Sequence, residues 1–246
     1  MKRKNRIVDI ILYSIVIIGI GVLAFSIFES RVIERSETNK VIEAFRNSDN
    51  EKSDQSKVSI FDEMNKPIGV ISIPKIDVTL PIYRKMSERA LSKGVGAMNG
   101  YEDLSAKKGT LCVLSSHNGL SASGLFTNLD KLKKKDHFYI ENSDKVINKY
   151  VVYKKNVVKP SNTKLLRQEP DKAKAILITC ISKEGINSHR LLVTGHFVGT
   201  VDHIEKGRLI LSNYEKILLC IVFCLLMLII FDRIKKRKRR CANEKN

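Results

Sequence analysis

The sequence predicts a mainly β domain that lies between two apolar helical segments. From residue 68 onward, short apolar and β-branched runs alternate with turn residues, a pattern typical of a β-sandwich or β-barrel. Uncharged apolar stretches at residues 10–28 and 217–231 precede and follow this region, each flanked by basic residues. The chain of 246 residues leaves room between them for one domain with its own core.

The first apolar stretch predicts a membrane-spanning helix. Residues 1–9 form a basic N-terminus, and residues 10–28 are about long enough to cross the hydrocarbon core of a bilayer. A cleaved signal peptide is the alternative interpretation, with Ala24 and Ser26 in a small-residue cleavage site.

The remaining segments are predicted from their polarity. Residues 29–58 combine a stalk with helical spacing and a charged, serine-rich flexible linker. The folded domain is expected at residues 59–201, followed by a juxtamembrane segment at 202–214. Residues 215–231 predict a second membrane span, for which a buried helix is the alternative, and residues 232–246 form a basic tail.

The distribution of charge predicts the topology and the partners. A net charge of +18 would suit a nucleic-acid-binding protein, but both strongly basic clusters directly adjoin the apolar stretches. Such flanks are typical of the cytoplasmic side of a membrane and of contact with anionic lipids. We therefore expect both termini in the cytoplasm, the middle domain outside the cell, membrane lipids as partners and no bound nucleic acid.

Within the domain, local patterns predict the individual elements. A short helix is expected at residues 87–93, where Ser87 can cap the first turn and Gly94 can end the last. A helical turn is expected at residues 126–132. Strands are expected at residues 68–73, 78–83, 110–115, 137–141, 146–158, 175–180 and 190–198.

The last two predicted strands carry a chemically distinctive pattern. Residues 175–180 read Ala-Ile-Leu-Ile-Thr-Cys, and residues 189–195 read His-Arg-Leu-Leu-Val-Thr-Gly. Cys180 therefore ends one strand, and Arg190 opens the next. A fixed positive charge beside a thiol favours the thiolate, which is the nucleophilic form. For Cys180 taken alone, a small buried hydrophobic residue is the alternative interpretation.

A histidine upstream completes a set of residues that can carry acyl transfer. His117 follows an apolar strand, in a turn with Asn118 and Gly119. In a Cys–His pair the imidazole exchanges a proton with the thiol and with the leaving amine. Arginine can hold a substrate carbonyl or a developing oxyanion. We therefore expect Cys180 to attack the substrate carbonyl and His117 to act as general acid and base. Arg190 is expected to stabilise the developing oxyanion and to position the substrate.

The other cysteines and histidines fit this hypothesis less well. Cys112 is interpreted as core packing, and a Cys112–Cys180 disulfide is the alternative in an oxidising compartment. His189 should point to the face of the strand opposite Arg190, and His137 has no apparent partner. No cysteine or histidine pair shows the spacing of a zinc site, so we expect neither a metal nor a cofactor.

These motifs resemble the active-site signature of the sortases, the membrane-anchored cysteine transpeptidases of Gram-positive bacteria. The resemblance covers residues 67–197 and includes Ser115-Ser116-His117-Asn118-Gly119 upstream of the cysteine. It implies a closed barrel of eight strands. It also implies the same three roles for Cys180, His117 and Arg190.

The resemblance further implies which residues bind substrate. In the family, the long loop that occupies residues 159–174 here helps to wall the groove for the sorting signal, so Leu165 and Leu166 are expected to contact substrate. Thr179 directly precedes the nucleophile, as in the family signature, and is expected to do the same. Packing within a local helix is the alternative role for the two leucines.

The implied reaction is cleavage of a Leu-Pro-x-Thr-Gly-like sorting signal between threonine and glycine, and transfer of the acyl group to an amine. The two apolar stretches, Ile-Asn-Ser-His-Arg and Leu-Phe-Thr-Asn-Leu-Asp resemble class C, whose acceptor is a lysine of a pilin subunit. The alternatives are a sortase that anchors surface proteins to a peptidoglycan precursor, a non-catalytic membrane-tethered binding protein, and an extracellular cysteine peptidase.

Two departures from the class C pattern are visible. Residues 59–67 lack the Asp-Pro-aromatic tripeptide of the class C lid, although Phe61 could plug a groove in another way. The turn reads Ser116-His117-Asn118-Gly119, where the family more often has Gly-His-Arg-Gly. This change removes one local hydrogen-bond donor and leaves the histidine in place.

Overall fold

The structure describes most of the chain. In the computed structural model, the described residues are 2–48, 66–118, 124–183, 186–205, 220–224, 227 and 234. They belong to two units, one made of residues 1–30 and 210–246 and the other of residues 31–209. The linker predicted at residues 49–58, the start of the domain at residue 59, Phe61 and the basic tail, apart from residue 234, lie outside the described residues.

The apolar stretches that were predicted to cross a membrane are only partly described. Helix α1 (Lys2–Asn47) includes the first stretch, and residues 220–224 of the second are also helical. Among the described residues, no helix meets both the length and the apolar character that crossing a bilayer requires. The two membrane spans therefore stay predictions.

The described residues of the unit 31–209 form eight strands and one further short α-helix. The strands are β1 (Pro67–Ile73), β2 (Val78–Tyr83), β3 (Val95–Ala97), β4 (Leu111–Ser115), β5 (His137–Asn142), β6 (Ile147–Val158), β7 (Lys174–Lys183) and β8 (Ile186–Val201). Helix α2 (Glu88–Lys93) follows β2, and 3-10 turns occupy Pro74–Ile76 and Leu129–Lys131. The strands form a closed barrel in the order β1-β2-β3-β4-β7-β8-β6-β5. This confirms the eight-stranded barrel that the family resemblance implies.

The barrel closes around apolar side chains that alternate with outward-facing residues along the strands. In β6, Tyr150 and Val152 are buried while their neighbours are more exposed. The ring of Tyr150 stacks on Phe138, with 5.3 Å between the centroids. Gly195 lies against this stack, where an added Cβ would come within 2.6 Å of the Phe138 ring. Glycine is therefore required at this point of β8.

The predicted elements are of the correct type, but their bounds differ from those in the structure. Helix α2 begins as expected, because the Ser87 hydroxyl accepts a hydrogen bond from the amide of Ala90 at 3.1 Å. Strand β3 is missing from the prediction, since three residues are too few to show a period. Strands β7 and β8 are longer than predicted because their ladder continues to the Lys183–Ile186 pair, where backbone pairing does not need apolar side chains.

The last turns of α1 pack on the wall of the barrel. Ile42 and Phe45 form a small buried cluster with Val70 of β1. The guanidinium of Arg46 donates to both oxygens of Glu141 in β5, and its shortest contact is 2.6 Å. The Glu141 side chain is only 5% exposed, so this ion pair neutralises a buried carboxylate. This part of the predicted stalk is thus fixed to the domain.

Candidate active site

Cys180 and Arg190 form a cross-strand pair near one end of the β7–β8 ladder. Their backbones lie directly opposite each other, and the residue pairs Thr179–Leu191 and Ile181–His189 flank them. Side chains of directly opposed residues emerge on the same face of a sheet. The thiol and the guanidinium therefore share one face of the sheet, on neighbouring strands as predicted. Arg190 is half-buried, and its Nη1 donates to the carbonyl of His189 at 3.3 Å.

His117 lies at the same end of the barrel as Cys180 because β4 runs parallel to β7. These two strands are paired from Leu111–Lys174 through Ser115–Ile178. The parallel course continues beyond the end of β4, since the amide of Ser116 donates to the carbonyl of Ile178 at 3.2 Å. His117 is the next residue, and this pairing therefore places it beside the end of β7 that carries Cys180.

The three predicted catalytic residues line one open cleft of about 350 Å³. Most of the other lining residues are apolar, and they come from α2 and the loop before it, from the strands, and from the segments that follow β3 and β6. They include Met86, Met98, Val158, Leu166, Ile178 and Leu192. A groove of this kind can hold an extended peptide with apolar side chains beside a thiol, an imidazole and a guanidinium.

A carboxylate also contacts the histidine. Oε1 of Glu88, in the first turn of α2, lies 3.1 Å from Nε2 of His117. The Glu88 side chain is 86% exposed, so solvent screens this ion pair. The contact orients the imidazole ring. The sequence analysis missed Glu88, because nothing in the pattern relates the start of a short helix to a turn 29 residues later.

The loop between β6 and β7 forms one wall of the cleft, and Leu165 and Leu166 lie on it differently. Both leucines pack against a cluster that includes Leu111, Val113 and Ile176, but only Leu166 also lines the cleft formed by the described residues. The carbonyl of Leu166 also accepts a hydrogen bond from the Tyr101 hydroxyl at 3.4 Å. The position of Leu166 suits contact with substrate. The role of Leu165 stays a prediction, and its observed contacts are structural.

A buried lysine fixes the shape of this loop. Nζ of Lys174 donates to the carbonyl of Arg167 at 2.6 Å and to Oε1 of Glu169 at 2.9 Å. The Lys174 side chain is only 5% exposed. The hydrogen bond and the charge of Lys174 hold the pKa of Glu169 below its usual value. Lys174 was also missed, because from sequence it is one of many basic residues.

Thr179 is buried between strands. Its hydroxyl donates to the carbonyl of Ser116 at 3.0 Å, and its side chain does not line the cleft that the described residues form. The expected contact with substrate stays a prediction. The observed contact of Thr179 is a hydrogen bond to the segment that carries His117.

The buried cysteine and the nucleophile candidate occupy different environments. Cys112 is fully enclosed in the barrel core, and burial raises the pKa of its thiol. Cys180 is partly exposed in the cleft, and both residues are free thiols. The disulfide that the sequence left open is therefore not formed.

The remaining histidines lie away from the cleft formed by the described residues. His189 does not line it, in agreement with the expected alternation, and His196 borders a second cavity with Tyr153. The prediction that His137 lacks a partner is wrong, because its Nε2 lies 3.0 Å from Oε2 of Glu205. In the part of the chain that the structure describes, no three His, Cys, Asp or Glu side chains are grouped as metal ligands.

Comparison with known proteins identifies the family. Residues 71–198 match the family model described as the sortase domain. A curated relative, Sortase A from Bacillus anthracis, is 28% identical over 212 residues, which cover 80% of this chain and 98% of the relative.

Solved structures share the same barrel. Sortase A from Corynebacterium diphtheriae, in a lid mutant, is 33% identical with a TM-score of 0.53, over 68% of this chain and 97% of that one. The pilus-related Sortase C of Group B Streptococcus is also 33% identical, with a TM-score of 0.52, over 68% of this chain and 91% of that one. The fold, the sequence motifs and the cleft of this chain thus all indicate the same family.

Proposed function

The chain belongs to the sortase family of cysteine transpeptidases, and on that premise we propose that it cleaves a Leu-Pro-x-Thr-Gly-like sorting signal between threonine and glycine. The observation that carries this proposal is the convergence of Cys180, His117 and Arg190 on one cleft with apolar walls. Those walls suit the leucine and proline of such a signal. No metal or cofactor is needed for the chemistry.

In the first half of the reaction the enzyme is acylated. The thiolate of Cys180 attacks the threonine carbonyl, and Arg190 holds the oxyanion of the tetrahedral intermediate. His117 as imidazolium gives its proton to the nitrogen of the leaving glycine as the peptide bond breaks. The products are a thioester on Cys180 and a peptide with a free amine.

In the second half an acceptor amine resolves the thioester. Neutral His117 takes a proton from the amine as it attacks the thioester carbonyl, and Arg190 again holds the oxyanion. Collapse of the intermediate forms an amide bond and releases the thiolate of Cys180. The proton count of the enzyme returns to its starting value.

We infer that the acceptor is a lysine of a pilin subunit and that the substrates are pilin subunits with a C-terminal sorting signal. The likeness to the pilus-related Sortase C supports this acceptor. Attachment of surface proteins to a peptidoglycan precursor is the second candidate, supported by the likeness to Sortase A along nearly the whole length of that protein. A membrane position with both termini in the cytoplasm and the catalytic domain outside belongs to the same proposal.

The test is the mass of the products made by the full-length chain. We expect incubation with a sorting-signal peptide alone to give an acyl adduct on the protein, located by peptide mapping at Cys180. Adding either a lysine-containing pilin peptide or an amine that mimics the peptidoglycan precursor should release the adduct as a new amide. The amine that reacts faster decides between the two acceptors. Absence of any adduct on a folded wild-type chain would contradict the proposed reaction.

Two cysteine variants serve as matched controls. Cys180→Ala should form no adduct, because it lacks the thiol that lines the cleft. Cys112→Ala should form the adduct normally, since Cys112 is enclosed in the core. Both variants are built in a chain in which Cys220, Cys224 and Cys241 are alanine, so that thiols outside the domain add no background.

A further inference from the structure

The segment that carries His117 is attached to the nucleophile strand beyond the end of the regular ladder. The hydroxyl of Thr179 donates to the carbonyl of Ser116 at 3.0 Å. One residue past His117, Nδ2 of Asn118 donates to the carbonyl of Cys180 at 2.8 Å. Side chains thus continue the pairing of the two segments up to the reacting cysteine itself.

His117 is held on both sides of its own position. On its N-terminal side, the buried hydroxyl of Ser116 donates to the carbonyl of Gly94 at 2.7 Å. On its C-terminal side, the bond from Asn118 is joined by a bond from the Phe126 amide to the His117 carbonyl at 3.1 Å. The backbone of His117 is therefore fixed between two anchors, and Asn118 is the anchor that ends on Cys180.

Asn118 has no other evident reason to be at this site. It does not line the cleft that the described residues form, so it is not placed as a substrate contact. Its bond is exposed and joins two neutral groups, and such a bond adds little to the stability of the whole fold. The bond does connect the residue directly after His117 to Cys180, 62 positions further along the chain.

We propose that Asn118 is a positioning residue that sets the distance and direction of the His117 imidazole relative to the thiol of Cys180. The inference rests on the proposed function, because it assigns His117 and Cys180 the proton exchange of acyl transfer. Asn118 acts through the backbone carbonyl of Cys180 and touches neither substrate nor the transferred proton. In this chain it supplies a donor at the position where the motif differs from the common family pattern.

The test compares Asn118→Ala, which removes the donor, with Asn118→Gln, which keeps an amide donor on a longer arm. In the full-length chain, a displacement of His117 by about 1 Å should lower kcat for peptide cleavage by roughly 10- to 100-fold with little change in KM. The Gln variant should recover a measurable part of kcat. Asn156→Ala in β6 is the matched control, and it should leave kcat and KM unchanged.

A second readout does not require turnover. In a chain with Cys220, Cys224 and Cys241 replaced by alanine, the rate of Cys180 alkylation by iodoacetamide is measured against pH. The profile should change in Asn118→Ala and return toward wild type in Asn118→Gln, because the imidazole that shares the cleft with the thiol has moved. This arm still tests Asn118 if the wild-type chain fails to cleave sorting-signal peptides.

Three results would overturn the proposal. The first is an Asn118→Ala enzyme with unchanged kcat and an unchanged alkylation profile. The second is a rise in KM with kcat unchanged, which would make Asn118 a substrate contact. The third is a lower thermal midpoint in Asn118→Ala together with a normal kcat for the molecules that remain folded. The lost activity would then be due to unfolding, and Asn118 would be a structural residue of the turn.

Discussion

Cys180 and Arg190 lie directly opposite each other in the β7–β8 ladder, and both side chains reach the same cleft. The hairpin therefore builds the nucleophile and its cationic partner into one rigid unit. A planar guanidinium at this point offers a fork of donors, whereas an ammonium offers a single centre.

The first prediction concerns the guanidinium. Arg190→Lys keeps the positive charge and loses the fork, so we expect kcat for peptide cleavage to fall on the order of 10²-fold, as for loss of an oxyanion-hole donor. Steady-state cleavage of a sorting-signal peptide measures this. Arg84→Lys, at an exposed position outside the cleft of described residues, is the control and should behave as wild type. Near-normal kcat in Arg190→Lys would show that charge alone is needed.

The second prediction separates the two members of the Glu88–His117 pair. His117→Ala should lower kcat by ~10²–10⁴-fold, because general acid–base catalysis is lost. Glu88→Gln should lower it by less than about 10-fold, since the carboxylate is exposed and an exposed ion pair is weak. The same peptide assay compares both variants. A loss in Glu88→Gln as large as that in His117→Ala would mean that the carboxylate takes part in the chemistry.

The third prediction concerns the attachment of α1 to the barrel. Arg46→Ala leaves the buried carboxylate of Glu141 without its guanidinium, and should lower the free energy of unfolding by about 1–3 kcal/mol. A fall near the lower end of this range is expected, because the Arg46 side chain is 45% exposed. Urea unfolding of the full-length chain, followed by circular dichroism, measures the change.

A matched ion pair controls this experiment. Arg35 contacts Asp77 at 2.7 Å, with exposed fractions of 44% and 24% for the two side chains. Arg35→Ala should therefore cost no more than about 1 kcal/mol. Equal effects of the two substitutions would argue against a special role for the Arg46–Glu141 pair.

The fourth prediction is a pH dependence centred on Glu205. A hydrogen bond from Tyr139 and the charge of His137 lower the pKa of Glu205, and Lys149 contributes a further hydrogen bond. Folding therefore favours the ionised carboxylate. Its stabilising contribution is present above the usual pKa of 4.5 and is lost as the pH falls through the lower folded value.

Thermal midpoints of wild type and Glu205→Gln test this dependence. The variant should have the lower midpoint at pH 7, and the difference should shrink as the buffer is acidified below pH 4.5. The same substitution should leave peptide cleavage at pH 7 intact, because Glu205 does not line the cleft described here. A difference in midpoint that stays constant or grows in acid would refute the assignment.

The fifth prediction concerns topology. The basic clusters beside the two apolar stretches predict that both termini are cytoplasmic and that the domain is outside. Reporter fusions after Lys57 and after Asn246 should therefore report opposite compartments. Finding both fusion points on the same side would exclude the two-span arrangement.

Part of the site could be predicted from sequence because apolar runs mark the strands that carry it. The apolar run that ends in Cys180 and the run that opens with Arg190 predicted neighbouring strands, and the ladder confirms that the two residues lie opposite each other. The family resemblance implied His117 and the closed barrel. For Cys180 and Arg190 the apolar runs alone predicted adjacent strands, although the strands extend beyond both residues, to Lys183 and from Ile186.

What could not be predicted depends on contacts between distant segments. Glu88 reaches His117 across 29 positions, through side chains whose neighbours in sequence give no sign of the contact. The Arg46 ion pair joins residues 95 positions apart. Such pairs depend on how the barrel is closed and on how α1 lies against it, which the periodicity of one segment does not encode.

The parallel pairing of β4 with β7 has a consequence for the order of events in folding. Asn118 and Cys180 are 62 residues apart in the chain, so no local segment can bring the imidazole to the thiol. Closing a loop of that length costs conformational entropy before any contact is gained, and Arg190 is synthesised after the cysteine. We therefore expect the Cys180–Arg190 pair to form with the local β7–β8 ladder, and the imidazole to reach the thiol later, when β4 pairs with β7.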